Sequence, residues 1–359
     1  MAEEREYQKR VVANTLKAID EGHKSILITS PCGSGKTFMG HTIAAELNRR
    51  HGWKTGWTAM RWNLLQQAAE ENKRLVGLDN IEYFSTFDRN PPLDVDILIE
   101  DEGHHAASAT ATHLTSVINP KIHIALTATP FRSDRVKLSF SKIVQDAGVK
   151  QLIEEGWLSA FDQYIAKVAW TPYEVAKLYS DHQARWGKTV VYFLSIAECE
   201  ECQKALLDAG VPSEVVYQDS DIDAQLEMFA TGNTRVLLNV VMLTEGFNSP
   251  DLQTVFVRPA SKGPTIQMAG RVLRKHPECP VKNIVQVEGT KWPFSRIAGP
   301  HDRLALNLLG EWDSRRGESA RLIKVCATSI IGSGRTAVKP MPRYIVSHTK
   351  RKHSWHRKK

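Results

Sequence analysis

The segment SPCGSGKT at residues 30–37 restricts the fold of this chain more than any other part of the sequence. It follows the apolar run SILITS and precedes a helical pattern that extends to about residue 50. Small residues between a strand and a helix let backbone N–H groups surround a phosphate, and the helix N-terminus adds its positive pole. The full pattern has glycine where this sequence has Ser30. The segment predicts a phosphate-binding loop in an α/β domain.

Short apolar runs alternate with helical patterns along the rest of the chain, as is typical of parallel sheets. The runs are TGWTAM (55–60), IEYFS (81–85), VDILIED (95–101), IHIALTA (122–128), TVVYFLS (189–195), SEVVYQ (213–218), TRVLLNV (234–240), QTVFVRP (253–259) and KNIVQVE (282–288). A length of 359 residues suits two domains and an extension. We predict two tandem parallel-sheet lobes, 1–155 and 156–294. The extension, 295–359, contains an amphipathic helix over about 302–316.

The charge of the chain is distributed unevenly. No Asp or Glu occurs after Glu318, whereas eleven Lys and Arg follow Ala320, so the excess of positive charge lies in the C-terminal segment. A tail that ends HTKRKHSWHRKK is typical of an arm that binds polyphosphate, and a solvated solubility tail is the alternative.

Composition also bears on the compartment. Five cysteines are too few for a disulfide framework in a chain of this length. The start MAEEREYQKR has no signal-peptide core, and no apolar run approaches the ~20 residues of a membrane span. We expect a cytoplasmic protein with no membrane partner.

A second segment, ILIEDEGHH at 97–105, places two acids at the end of an apolar strand. In a parallel sheet that strand end lies beside the phosphate loop. Asp101 would hold Mg²⁺ through water, with the Thr37 hydroxyl as a direct ligand, while Lys36 bridges the β- and γ-phosphates. Glu102 would orient and deprotonate the attacking water. A solvated strand end is the alternative, which the phosphate loop upstream disfavours.

The third segment is QMAGRVLR at 267–274, in a helix expected near 264–274. Gln267, Arg271 and Arg274 would share one face of that helix. Arginines on one face are often only a solvated surface, but a site that stabilises charge on a transferring phosphoryl group needs arginine. These arginines would come from the second lobe, so hydrolysis would require the lobes to close.

Taken in order, these segments resemble the motifs of helicase superfamily 2, the DExD/H-box ATPases, over roughly residues 5–290. The matching segments are REYQ (5–8), SPCGSGKT, DEGH (101–104), TATP (127–130), LTEGFNSPDLQTVFVRP (243–259) and QMAGRVLR. The last two are most similar to the branch that contains XPB-like and RadD-like helicases and the motor subunits of restriction enzymes. The chain departs from the DEAD-box proteins, because TAMRWNLLQQ (58–67) stands where they carry PTREL.

The resemblance implies an α/β fold with two RecA-like lobes, ATP and Mg²⁺ as cofactors, and a role for each matched residue. Around the nucleotide it implies Tyr7 and Gln8 for adenine, together with Gly33, Ser34, Gly35, Lys36, Thr37, Asp101 and Gly246. For coupling it implies His104, Thr127 and Thr129. For nucleic acid it implies Arg61, Thr86, Ser195 and Thr244, where ordinary strand ends and helix caps are the alternative.

The expected function is nucleic-acid-dependent ATP hydrolysis by a DNA helicase or a branch-remodelling translocase, with DNA favoured over RNA. The alternatives are an ATP-switched clamp, the motor subunit of a nuclease complex and an RNA helicase. A protein partner could bind the C-terminal extension. Little sequence remains for domains inserted between the lobes, so we expect a reduced motor from a bacterial or phage-infected cytoplasm.

Overall fold

The computed structural model describes residues 5–103, 109–129, 140–240, 243, 247, 249–307 and 310–314. These residues belong to one unit that ends at Ser314 and contains two sheets. No helix within these ranges is both long and apolar enough to cross a membrane.

The first sheet is entirely parallel, with the strand order β3-β2-β4-β5-β1-β6. Its strands are β1 (Ser25–Thr29), β2 (Thr55–Ala59), β3 (Ile81–Ser85), β4 (Ile97–Glu100), β5 (Ile122–Thr127) and β6 (Lys142–Gln145). The helices of this lobe are α1 (Glu6–Asp20), α2 (Lys36–His51), α3 (Trp62–Leu75), α4 (Ala109–Ile118) and α5 (Val149–Glu154).

The second sheet has the order β14-β13-β7-β12-β11-β8-β10-β9, and only the β13–β14 pair is antiparallel among the described strands. Its strands are β7 (Ala160–Ala166), β8 (Thr189–Tyr192), β9 (Ser213–Val216), β10 (Val236–Asn239), β11 (Thr254–Phe256), β12 (Val281–Val287), β13 (Asp302–Leu306) and β14 (Trp312–Ser314). Its helices are α6 (Pro172–Asp181), α7 (Gln183–Trp186), α8 (Ile196–Asp208), α9 (Ile222–Thr231) and α10 (Lys262–Gly270).

Burial explains why the central strands form continuous apolar runs. Every residue of β4, β8 and β10 is buried, as expected for parallel strands covered by helices on both faces. In the first lobe the side chain of His41 on α2 stacks on Trp57 of β2, with ring centroids 4.1 Å apart. The predicted α/β class with two tandem parallel-sheet lobes is confirmed.

The helix predicted over 302–316 is wrong. Residues 302–306 form β13, which pairs in parallel with β7, and 312–314 form β14 beside it. The free edge of β7 supplies backbone partners, and the Trp312 ring packs edge-on against Tyr164 with centroids 5.0 Å apart. These long-range contacts outweigh the helical spacing of the segment. The second sheet thus extends past residue 294, while the domain boundaries at 155 and 294 stay predictions.

Gly40 lets α2 approach the sheet, so we predict that Gly40→Ala destabilises the fold. An added Cβ would lie 2.8 Å from Trp57 Cη2 and 3.0 Å from Leu126 Cδ1, two fully buried side chains. Overpacking costs about 1–3 kcal/mol, which exceeds the roughly 1 kcal/mol that alanine gains over glycine in a helix. Urea unfolding should show a net loss of about 1 kcal/mol.

The matched control is Gly299→Ala, where an added Cβ would meet no atom within 4 Å. Equal unfolding midpoints for the two variants would contradict close packing at Gly40.

Candidate nucleotide site

The carboxyl ends of three neighbouring strands bring the predicted nucleotide residues to one edge of the first sheet. Strands β4, β5 and β1 lie side by side, and their ends lead into Asp101, Thr127 and Ser30. The Ser30 N–H donates to the Thr127 carbonyl at 3.0 Å, so the phosphate loop is tied to the end of β5. Ligands of open parallel sheets bind at this edge.

The loop between β1 and α2 has the backbone geometry of a phosphate cradle. Gly33 and Gly35 have φ angles of +76° and +81°, a left-handed conformation that glycine adopts without steric cost. Gly35 is the N-cap of α2, so Lys36 and Thr37 occupy the first turn at its positive pole. Lys36 Nζ lies 3.5 Å from the Pro31 carbonyl and therefore stretches back over the loop.

Residues of α1 hold the same loop from the other side. The Tyr7 hydroxyl and the Gln8 side-chain amide both donate to the Ser34 carbonyl, at 2.5 and 2.9 Å. An added Cβ on Gly35 would lie 2.5 Å from Gln8 Nε2, so this contact also requires glycine there. Ser34 Oγ lies 2.7 Å from Ser30 Oγ. Tyr7 and Gln8 thus support the phosphate loop, and adenine recognition by them stays a prediction.

The two acids after β4 lie close together, with Glu102 buried and Asp101 half-buried. Burial and the charge of Glu102 raise the pKa of Asp101 to about 7, although Lys36 and Arg271 partly oppose this. Glu102 is buried and has a φ of +53°, a conformation that typically costs non-glycine residues ~1–3 kcal/mol. A bound cation would relieve the repulsion between two such acids. The site therefore fits Mg²⁺, with Asp101 and the Thr37 hydroxyl as the residues that would hold it.

Two arginines of the second lobe reach the same place. Arg271 Nη2 lies 3.7 Å from Glu102 Oε1, and both side chains are buried. Arg274 Nη1 donates to the Phe247 carbonyl at 2.8 Å, and its Cγ lies 3.2 Å from the position of a Cβ on Gly33. Burial and the charge of Arg271 lower the pKa of Arg274 to about 10. The structure thus brings the phosphate loop, the acids and the arginines together.

The prediction that one helix carries all three polar residues of QMAGRVLR is wrong. Helix α10 ends at Gly270, so only Gln267, which is half-buried, lies within it. The N–H groups of Val272 and Leu273 bond three residues back rather than four. The carbonyls of Leu273 and Arg274 accept from the Ser159 N–H and hydroxyl, at 2.8 and 3.2 Å. Ser159 precedes β7 of the same lobe, so these bonds fix the backbone that carries the two arginines.

The predicted strand-binding residues lie at strand and helix ends, where several are already engaged. Thr86 is buried, with its Oγ1 3.2 Å from Thr58 Oγ1. The Ser195 hydroxyl accepts from the Glu198 N–H at 3.2 Å in the capping box of α8. Arg61 is the N-cap of α3. Contacts of Arg61, Thr86 and Ser195 with nucleic acid stay predictions.

The predicted coupling residues Thr127 and Thr129 are buried at the end of β5. The Thr129 N–H donates to Thr127 Oγ1 at 3.0 Å, and that hydroxyl donates to the Thr129 carbonyl at 2.9 Å. The pair forms a rigid turn next to the phosphate loop. His104, Thr244 and Gly246 lie outside the described residues.

Trp157, between α5 and β7, was missed by the sequence reasoning. The Arg5 guanidinium lies 5.1 Å from the centroid of its ring, and the ring of Tyr7 lies 6.3 Å away. Trp157 thereby links the start of the chain to the second lobe. Its only sequence signal was an aromatic residue in the predicted connection between the lobes.

Because the pKa of Asp101 is raised on folding, we predict that Asp101→Asn stabilises the protein near neutral pH. An acid with a raised folded-state pKa binds more protons folded than unfolded, so stability falls as pH rises between the two values. Here the window runs from 3.8 to about 7. Asparagine keeps the oxygen that accepts from the Glu102 N–H at 2.9 Å.

Urea unfolding without nucleotide should show an advantage of the variant over the native sequence that grows as pH rises from 3.8 to about 7. The expected gain near pH 7 is on the order of a few kcal/mol. The exposed Glu227→Gln serves as the control. Parallel pH profiles for Asp101→Asn and the native chain would refute the raised pKa.

Comparisons with known proteins agree with this arrangement. Residues 1–91 match the model described as type III restriction enzyme, res subunit, and residues 170–276 match the helicase conserved C-terminal domain. Among solved structures, the Escherichia coli DEAH/RHA helicase HrpB shares the fold with a TM-score of 0.55, at 16% identity, over 81% of this chain and 44% of that one.

Three relatives cover most of this chain. The protein irc3 of Schizosaccharomyces pombe, assigned by its name to mitochondrial ATP-dependent helicases, is 23% identical over 76% of this chain and 55% of its own length. IRC3 of Saccharomyces cerevisiae, also assigned to the ATP-dependent helicases, is 23% identical over 76% and 49%. The 51.5 kDa protein of a Lactococcus phage is 26% identical over 65% and 59%. The chain spans about half the length of these relatives.

The two family models fall on the two lobes, and the phosphate loop and the arginine segment that they cover lie against each other, with Arg274 Cγ 3.2 Å from the position of a Cβ on Gly33. Together with the helicase relatives, these two matches assign the chain to helicase superfamily 2.

Proposed function

We propose that the chain hydrolyses ATP with Mg²⁺ and uses the reaction to move along or separate DNA, as a helicase or a branch-remodelling translocase. The observation that carries this proposal is the 3.7 Å separation between Glu102 of the first lobe and Arg271 of the second. An acid that can activate water and an arginine that can stabilise transferred charge face each other beside a phosphate loop.

Each group would have one task in hydrolysis. Lys36 and the loop N–H groups bind the β- and γ-phosphates, and Glu102 orients the attacking water and takes its proton. Arg271 and Arg274 stabilise the charge that develops on the transferred phosphoryl group. Thr37 and Asp101 would hold Mg²⁺, which would supply positive charge to the phosphates.

Hydrolysis would be coupled to movement because each lobe supplies part of the site. The acids belong to the first sheet and the arginines to the second, so bound ATP would favour the closed arrangement of the lobes. Loss of the γ-phosphate removes the charge that both arginines hold. The lobes would then separate, and a nucleic acid that contacts both of them would be displaced.

An unpaired strand fits the surface beside the site better than a duplex. Trp62 and Phe87 are 63% and 55% exposed. They follow the adjacent strands β2 and β3, whose carboxyl ends meet at the same edge. Arg61 and Arg89 flank them in sequence. Aromatic rings between cations are a common means of stacking unpaired bases and binding their phosphates.

The finer identity of the motor is also a proposal. The XPB-like and RadD-like branch and the preference for DNA rest on the motifs of the sequence. A cytoplasmic location rests on composition, whereas the S. pombe relative is named as mitochondrial. The match to a restriction-enzyme subunit keeps the alternative of a motor within a nuclease complex. A protein partner would bind the C-terminal extension.

ATP turnover with single-stranded DNA, forked DNA, duplex DNA and RNA tests this proposal. We expect the greatest stimulation by DNA that contains an unpaired strand. Lys36→Ala should reduce the stimulated rate by roughly 10²–10³, because it removes a preorganised charge on the phosphates. Arg303→Ala, at an exposed position of β13, is the matched control.

A rate that is equal with all four nucleic acids and unchanged in Lys36→Ala would exclude a nucleic-acid-driven motor. Release of a labelled strand from the fork separates the alternatives. Turnover without release would indicate a translocase or a motor subunit, and a single turnover per binding event would indicate an ATP-switched clamp.

The basic tail gives a second prediction, which concerns residues outside the described ranges. Residues 347–359 contain six Lys and Arg and no acid. If these cations release counterions from phosphates, their deletion should weaken DNA binding and flatten the dependence of log Kd on log salt. Fluorescence anisotropy at several salt concentrations measures both effects. An unchanged slope would assign the tail to solubility.

A further inference from the structure

We propose that Cys279 and Lys282 form an oxidative modification site, in which a peroxide joins Cys279 Sγ to Lys282 Nζ by a covalent S–N bond. The proposed hydrolysis uses neither residue, so this inference does not rest on it. Cys279 lies in the connection from α10 to β12, and Lys282 lies on β12.

The two reacting atoms are already in close contact. Lys282 Nζ lies 2.8 Å from Cys279 Sγ. This is as short as an ordinary N–H···O hydrogen bond, although sulfur is the larger atom. The Cys279 N–H donates to the His276 carbonyl at 3.2 Å, and the turn closed by this bond directs the thiol toward the strand. The amine therefore needs little movement to reach the sulfur.

The surroundings of Lys282 favour a reactive amine. The side chain is fully buried, and its Nζ donates to the carbonyls of Pro250 and Leu252, at 2.8 and 2.7 Å. The nearby Asp251 carboxylate is instead bonded to Lys188 and Ser249. Burial lowers the pKa of Lys282, although Cys279 and Asp251 oppose the shift. The neutral amine, which is the nucleophilic form, is correspondingly easier to reach.

Cys279 is also more accessible to solvent than Cys199 and Cys202. It is 9% exposed, and Pro277, Glu278 and Pro280 beside it are exposed, so the residue lies close to solvent. Cys199 and Cys202 are fully buried on α8, and burial raises the pKa of both thiols, that of Cys199 to about 12. Such thiols react slowly with oxidants.

The reaction balances with hydrogen peroxide as the oxidant. Peroxide first converts the Cys279 thiol to a sulfenic acid and releases one water. The neutral Lys282 amine then attacks the sulfur, so that the S–N bond forms and the S–O bond breaks. The departing hydroxide takes a proton from the amine and leaves as a second water. Thiol and amine together lose two hydrogens, and a thiol reductant restores both groups.

The S–N bond would remove hydrogen bonding from the turn that precedes β11. A lysine ammonium has three N–H donors, which here face two carbonyls and a sulfur. The nitrogen of the product keeps one N–H, so at least one of the carbonyls of Pro250 and Leu252 loses its partner. Burying an unsatisfied carbonyl is costly. The oxidised protein should therefore unfold at a lower temperature than the reduced one.

Peptide mapping of the full chain tests the proposal. After treatment with hydrogen peroxide, remaining thiols are alkylated, and the denatured protein is digested with trypsin without reductant. Trypsin does not cleave after a modified lysine. The peptide HPECPVK (276–282) should therefore be replaced by HPECPVKNIVQVEGTK (276–291), two hydrogens lighter than the unmodified mass. Reductant added before digestion should restore cleavage.

Cys279→Ser should cleave normally after Lys282 under the same treatment, whereas Cys199→Ser should behave like the native chain. Normal cleavage in the oxidised native chain, with Cys279 recovered as a sulfinic acid or a disulfide, would overturn the proposal. An uncleaved peptide that is one oxygen heavier than the predicted product would also overturn the direct S–N bond.

Discussion

Two neighbouring acids, Glu102 buried and Asp101 half-buried, are the constraint on which this site depends. Asp101 and Glu102 follow one buried strand, and their mutual repulsion is part of the reason why the pKa of Asp101 rises to about 7. The cations that oppose this come from both lobes, Lys36 from the phosphate loop and Arg271 from the second sheet. The electrostatics of the acids therefore depend on the distance between the lobes, as the proposed motor requires.

Small residues make this convergence sterically feasible. An added Cβ on Gly270 would lie 3.1 Å from the Cβ of Cys32, and one on Gly33 would lie 3.2 Å from Arg274 Cγ. The phosphate loop and the segment QMAGRVLR thus contact each other at glycines. Trp157 packs on Tyr7 and Arg5, which in turn hold or flank the phosphate loop. Opening of the lobes would disturb these contacts together.

Local pattern predicted the loop and the helix around residues 30–50 well, because their geometry is local. The loop at 30–37 and α2 follow from glycines between a strand and a helix, and the helix expected over 37–50 is Lys36–His51. The features that local pattern could not predict depend on contacts between residues far apart in the chain. Helix α10 ends before Arg271, where Ser159 bonds to the backbone that follows the helix, and the edge of β7 pairs with the segment expected to be a helix over 302–316, which forms β13 and β14. A serine at a helix start is equally a cap or a ligand, as Ser195 illustrates.

Whether Glu102 and Arg271 act on one triphosphate is measured most directly by a double-mutant cycle on single-turnover ATP hydrolysis with saturating DNA. The variants are Glu102→Gln, Arg271→Ala and the combination of both. Groups that act as one unit give losses that do not multiply. The account predicts that the double variant is about as slow as the slower single variant. If the two losses multiply, the groups act independently, and a shared site across the two lobes is contradicted.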